Sequence, residues 1–322
     1  MNELDIALER LHLCAFETAD GTPNCGPMAA FALDNLGHPA LTSGLMDVYV
    51  PRFPVLGDGS RLNRQEWSSA RGDMARALDW LATFDALLAE RDWKDVLTET
   101  LDAFAQESAG TSLAPDALLR LAYATRALEG QDSAPRRREL AFALAFTAAK
   151  SASSPNDTEN PNPWAAQVRN LAEGPEGSAE DIAKLVGEFC LAGATQYVGC
   201  EGERSLRTAS VVLPSAFRFL LPRLPLHLAR DILIAMLSGC AVTHTAQESS
   251  GSADKGPDTE VERCAESVIE IRYRAACSVH EHAILMADAC LRENEIRPNP
   301  IFCHAAADAA LRLSPPGYQE WR

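Results

Sequence analysis

Apolar positions recur at helical spacing along almost the whole chain. Over residues 74–91, Leu78, Leu81 and Leu88 share one broad face with Trp80 and Phe84, and Asp73 stands where an N-cap belongs. A second helix is predicted over 95–104, after Trp93. Pro115 fits the first turn of a helix running to Leu128 with Gly130 as its stop, and Pro135 opens another through Lys150. Ser178 with Asp181 three residues on is an acidic form of the capping box, leading into IAKLVGEFCLAG. Further along, Pro214 is expected to open PSAFRFLL and Pro225 a helix to about Thr243, followed by helices over 261–276, 280–292 and from Asn299-Pro300 to Leu313. LRTASVVL at 206–213 is the one stretch that reads as a possible strand. The pattern predicts an all-α fold.

Two segments interrupt it by composition: SASSPNDTENPNP at 151–163 and ESSGSADKGPD at 248–258, both read as loops or linkers. The first is a candidate divider between two helical halves. Neither half carries a fold signature of its own and no repeat is evident, so a single helical domain over 1–322 is expected. The second loop reads as solvent-exposed chain or as a cover over a site. The longest apolar run, from Ile232 to Val242, is broken by Ser238, Gly239 and Cys240 and is shorter than the roughly 18 residues a span needs, so it predicts a buried helix. MNELDIALER has no basic stretch ahead of an apolar one, which argues against a secretion signal and for a cytoplasmic protein.

Composition changes this picture little. Hydrophobic residues make up 47% of 322, which excludes general disorder and allows a large core. The nine cysteines have neither paired spacing nor a C-x-x-C, so packed free thiols are expected rather than disulfides or a zinc site. A net charge of −16 disfavours nucleic acid and anionic lipid as partners. The dense basic exception, Arg136-Arg137-Arg138, reads as the solvated first turn of a helix.

Common catalytic strings are absent: there is no G-x-G-x-x-G, P-loop, G-x-S-x-G, H-E-x-x-H or paired E-x-x-H. The densest histidine cluster is His280-Glu281-His282, where Ser278-Val279 is expected to break two helices and let both imidazoles turn inward. One capping and one buried histidine is the ordinary reading; a metal site using His282 with distant partners is the other. Cys25 stands at a helix start, which lowers a thiol's pKa, although most cysteines on apolar helices are merely packed. Tyr123 lies on an apolar face, where a buried tyrosine with one hydrogen bond is the default.

Taken together, NCGPMAAFALDNLG at 24–37, DWLATFDALLAERDWKDVL at 79–97, LLRLAYATRAL at 118–128 with RELAFALAF after it, and HEHAILMADACLREN at 280–294 with PNPIFCHAAADAAL resemble the questin oxidase-like family, in order and spacing along nearly the whole chain. The resemblance implies a helical fold and an oxygenase similar to fungal enzymes that open an anthraquinone ring by oxygen insertion beside a carbonyl. It further implies non-haem iron held by histidines of separate helices with a modified lysine. This chain departs from that pattern. Cys25 replaces the histidine of the N-H-G-P opening, and Asp116 and Tyr123 stand at the two histidines of H-G-x-I-R-x-A-H. A further histidine is replaced near Ala209, His282 remains, and Leu285 stands for the lysine. Cys25, Asp116 and His282 are therefore the expected ligands of any remodelled metal site, and the ancestral iron site is expected to be lost.

The leading expectation is an oxygenase-like tailoring enzyme of secondary metabolism, acting on a polycyclic aromatic, polyketide-type small molecule by Baeyer–Villiger-like or ring-cleaving oxidation. The alternatives are a metal-free cyclase, isomerase or hydrolase in the same pocket, and an inactive ligand-binding protein. In the metal-free enzyme Tyr123 and His282 serve as acid and base and Cys25 as a possible nucleophile.

Overall fold

Caps and prolines set most helix starts, as the pattern predicts. A computed structural model of the chain describes residues 2–106, 111–112, 114–153, 178–200, 204–234 and 268–313. The first eight helices are α1 (Glu3–Leu11), α2 (Gly26–Asn35), α3 (Thr42–Tyr49), α4 (Trp67–Ala70), α5 (Ala77–Glu90), α6 (Trp93–Gln106), α7 (Pro115–Gly130) and α8 (Ala134–Ala149). After them come α9 (Ala179–Val198), α10 (Arg204–Arg207), α11 (Ala209–Phe217), α12 (226–234), α13 (Val268–Cys277), α14 (Glu281–Ile296) and α15 (Pro300–Arg312). Asp73 caps a short 3-10 turn ahead of α5 by accepting from the Ala75 N–H, and Asn299 accepts from Ile301 at the start of α15. The Ser178–Asp181 capping box forms in full.

α7, α8 and α14 are buried on nearly every side, including at charged positions such as Arg120, Glu139 and Asp288. α8 lies against α5 and α7, while α14 lies against α15, α2 and α11. One apolar core runs through them, from Leu4 of α1 to Ala310 of α15. All seven cysteines among the described residues are free. No helix among those residues is long and apolar enough to cross a membrane.

The structure corrects three expectations. LRTASVVL is helical, split between α10 and α11, and Pro214 lies inside α11 rather than opening a helix. A proline there leaves the Ser210 carbonyl without its helical donor. α9 approaches that carbonyl so closely that a Cβ on Gly193 would stand 2.8 Å from it, so glycine is the residue that permits the packing. Arg136 is not on a solvated turn: it is buried, donating Nε to Asp5 at 3.0 Å and Nη1 to the Ala127 carbonyl at 2.7 Å, which caps the end of α7. Arg137 and Arg138 do remain at the surface. Of the segment 151–163, Ala152–Ser153 pairs as a two-residue antiparallel ladder with Thr111–Ser112, and 154–163 lie outside the described residues. The 248–258 loop, residues 235–243 and 261–267, Cys240 and Cys264 also lie outside them.

Candidate functional site

Among the described residues, the break between α13 and α14 is the one place where a residue other than glycine takes a positive φ. Ser278 ends α13 by donating its hydroxyl back to the Ala275 carbonyl at 2.7 Å. Val279 then takes a φ of 51°, a left-handed conformation that a β-branched side chain adopts only at a cost of about 1–3 kcal/mol. His280 follows in extended backbone at the N-cap, with no side-chain capping bond. This turn sets the His280 and His282 rings 5.6 Å apart, at an interplanar angle of 44°. Buried Glu281 stands between them in sequence and accepts from Arg52 at 2.9 Å, which ties the break to the segment after α3.

Burial lowers the pKa of both imidazoles. Glu281 opposes that shift in each, Arg52 reinforces it, and His280 adds to it at His282. Both rings are therefore neutral at pH 7, with a free nitrogen lone pair each. His280 Nδ1 is buried and has no hydrogen-bond partner. An NMR titration of the ring C–H resonances is expected to find His280 and His282 half-protonated below pH 6.5, the ordinary histidine value of about 6.5 being the reference. Titration at or above that value would remove the premise of two neutral bases.

Cys25 lies in the same neighbourhood. Its backbone N–H donates to the buried Tyr49 hydroxyl at 2.7 Å, and Tyr49 carries the Arg52 guanidinium over its ring at 4.7 Å. Gly26 permits this approach, since a Cβ there would fall within 2.9 Å of Tyr49 and Leu11 carbons. Burial pushes the Cys25 thiol up to about 12; Glu281 and Asp116 add to the shift, while Arg120 and Arg52 oppose it. The helix start thus fails to activate it, and a thiol held protonated is neither a resting nucleophile nor a ready metal ligand.

α7 carries Asp116, Arg120 and Tyr123 along one side. Asp116 accepts from Lys150 at 2.8 Å, and Lys150 also pairs with Glu17 at 2.6 Å. Arg120 grips Glu139 with two bonds of 2.7 and 3.0 Å, leaving Nη1 buried and unpartnered. The Tyr123 hydroxyl donates to Asp288 at 2.9 Å, and burial followed by the Asp288 charge raises its pKa beyond the ordinary range. The charges acting on Tyr123 are Asp288, Arg292 and Arg126, whereas those acting on His282 are Glu281, His280 and Arg52. Cys25 and His282 share Glu281 and Arg52 as neighbours, Asp116 reaches Cys25 only as a charge, and Tyr123 belongs to a separate buried network. Leu285 is core, and Ala209 begins α11.

Iron held by Cys25, Asp116 and His282 does not fit this arrangement. The thiol is protonated, the carboxylate is engaged by Lys150, and no group of three or more His, Cys, Asp and Glu among the described residues is placed to hold a metal ion. In comparison with known proteins, the chain matches no family model and no curated protein. Tyr49, Arg52 and Arg120 are the site residues that the sequence does not announce. The only signal for the first two is a tyrosine and an arginine in VYVPRF, and nothing in that string points 229 positions along to Glu281.

Proposed function

We propose that the protein is an enzyme acting on a small carbonyl compound by metal-free proton transfer, an isomerase or cyclase in type, with His282 and His280 as the proton-handling pair. One observation carries this reading: two imidazoles stand 5.6 Å apart at a strained break, one of them with an unpartnered ring nitrogen. Strain at such a point is maintained by its surroundings, and it is more common at sites that do chemistry than elsewhere.

In the step proposed, one imidazole takes a proton from carbon beside the substrate carbonyl and becomes imidazolium. The electron pair moves onto the carbonyl oxygen, and the Arg52 guanidinium is the charge at hand to stabilise the enolate. Reprotonation at a different carbon restores the neutral imidazole; so does ring closure, in which the enolate carbon attacks a second carbonyl of the substrate and the alkoxide formed takes the proton back. A polyketide-type aromatic ketone is the substrate class favoured by the family resemblance, and the step requires one that carries an sp3 C–H beside the carbonyl, which a fully aromatic quinone lacks.

Hydrogen–deuterium exchange beside the carbonyl tests this, followed by NMR on a panel of aromatic polyketide-type ketones in D₂O. The wild-type chain is expected to accelerate exchange of at least one ketone, and His282→Ala to slow it by about 10²-fold. The rate is expected to rise with pH through an ionisation below the ordinary histidine value and then level. Binding without exchange indicates ligand capture, and oxygen consumption surviving His282→Ala indicates oxidation elsewhere; either result overturns the proposal.

A further inference from the structure

Away from the histidine break, α5, α6 and the segment before α4 flank a half-open cleft of about 260 Å³. Its lining is unusual for a chain of net charge −16, with Arg61, Arg64 and Arg91 around it and Glu99 as its only acid. A concentration of positive charge in a concave site attracts anions, and it does so more strongly against an acidic background.

The apolar part of the lining is packed against the core. Trp67, 6% exposed, packs edge-on to Trp80 at 5.0 Å and to Phe84 at 5.6 Å. The Thr83 hydroxyl donates to the Asp79 carbonyl at 2.7 Å and accepts from the Leu62 N–H at 2.8 Å, which pins the 60s segment against α5. Leu87 and Val96 complete the apolar lining. The Trp67 indole N–H is buried and has no partner, whereas that of Trp80 donates to the Ala70 carbonyl at 3.1 Å. Such an orphaned donor costs about 1–3 kcal/mol.

The cations differ in how far they are engaged. Arg91 is held by Glu99 through bonds of 2.9 and 2.5 Å, both side chains being substantially exposed. Arg61 makes only a loose pair with Glu90 at 3.8 Å. The Arg64 guanidinium lies over the Trp67 ring at 3.9 Å, and its charge is felt at Glu99. Glu99 thus stands at the rim as a resident carboxylate, between two arginines.

We propose that this pocket binds a small organic acid, a carboxylate on a ring-sized apolar body. Arg64 and Arg91 receive the carboxylate in the place Glu99 now competes for, and Trp67, Leu87 and Val96 receive the body. The site is independent of the histidine pair and takes its ligand whether or not that pair is catalytic.

Calorimetry and the Trp67 indole N–H resonance test it, with benzoate and phenylacetate as probes on the full chain. Saturable binding of at least one acid is expected, together with a shift of that resonance. Arg64→Gln is expected to weaken binding about tenfold, the worth of one charge-assisted hydrogen bond. Glu99→Gln is expected to tighten it by roughly threefold, because an exposed ion pair is a weak competitor. Benzamide, which keeps the ring and loses the charge, is expected to bind more weakly and to be insensitive to Glu99→Gln. These variants lie at the rim and leave the core intact. The proposal is overturned if millimolar acid produces no saturable shift, if Glu99→Gln weakens binding, or if benzamide or inorganic phosphate binds as well as the acids.

Discussion

Glu139→Ala is expected to lower the free energy of unfolding by about 3–5 kcal/mol, measured by urea denaturation at pH 7. Glu139 is 3% exposed and its partner Arg120 1%, so both ionised groups are almost out of reach of water. Burial acts first on Glu139 and would raise its pKa. The Arg120 charge, a hydrogen bond from His12 at 3.1 Å and the two from Arg120 overcome it, and the carboxyl ends below its usual range. Removing it leaves a guanidinium in the core between Phe16 and Phe142 with no anion, and its Nη1 is unpartnered already. Arg120→Met added to Glu139→Ala is expected to recover much of the loss, since an apolar pair of similar volume tolerates burial that a lone charge does not. A loss below about 1 kcal/mol for the single variant would show that the pair contributes no more than a surface one.

The pH dependence follows from the same shift. Glu139 and Asp288 both hold folded pKa values below their usual range, so the unfolded chain binds protons at these positions more readily than the folded chain. Their contribution to stability is complete above about pH 5 and is lost as pH falls through the folded values. The lowered His280 and His282 values act in the same direction at higher pH, since the unfolded chain protonates those rings first. Stability is therefore expected to decline from near pH 7 downward in two stages, histidine and then carboxylate, and Glu139→Ala to shrink the second.

Local signals in the sequence were sufficient for most of the helices, because caps act within a turn. Asp73, Ser178 with Asp181, and Asn299 each accept from a backbone N–H two or three residues on, so the string carries the whole interaction. Pro214 misleads for the opposite reason: a proline usually marks a start, and what makes it tolerable inside α11 is a glycine on another helix. Arg136 looks like one of three solvated arginines until Asp5, 131 positions earlier, is brought beside it. The break at Ser278-Val279 was legible, whereas the histidine expected to cap α14 makes no side-chain capping bond and instead stands with its ring 5.6 Å from that of His282. What that break faces was not legible, since Tyr49 and Arg52 reach it only through the tertiary fold. The rim pocket escaped for a related reason, its arginines being spread over 61–91 with no motif.

Asp288→Ala is expected to cost about 3 kcal/mol, and Tyr123→Phe only about 1 kcal/mol; the contrast between them decides what Tyr123 is for. Asp288 accepts from Arg292 at 2.7 Å, Arg126 at 3.2 Å, Asn35 at 3.0 Å and Tyr123 at 2.9 Å. From Arg292 the network continues through Ser215 to Glu293 and Arg218, so that one carboxylate joins α2, α7, α11 and α14. Taking away the carboxylate leaves two arginines facing each other across Phe219, and the partial exposure of Arg126 keeps the loss at the lower end. Taking away the tyrosine hydroxyl removes one of four partners of an anion that retains both cations. If Tyr123 is structural, Tyr123→Phe therefore loses a little stability and leaves proton exchange at wild-type rate, while His282→Ala does the reverse. If Tyr123→Phe instead abolishes exchange at unchanged stability, the Asp288 network is part of the reacting site and the histidine pair is not sufficient. A phenol whose pKa burial has raised, already donating to a carboxylate, is poorly placed to give that proton to a substrate. The first outcome is accordingly the expected one, and it would leave the proposed proton transfer at the N-terminus of α14 rather than on α7.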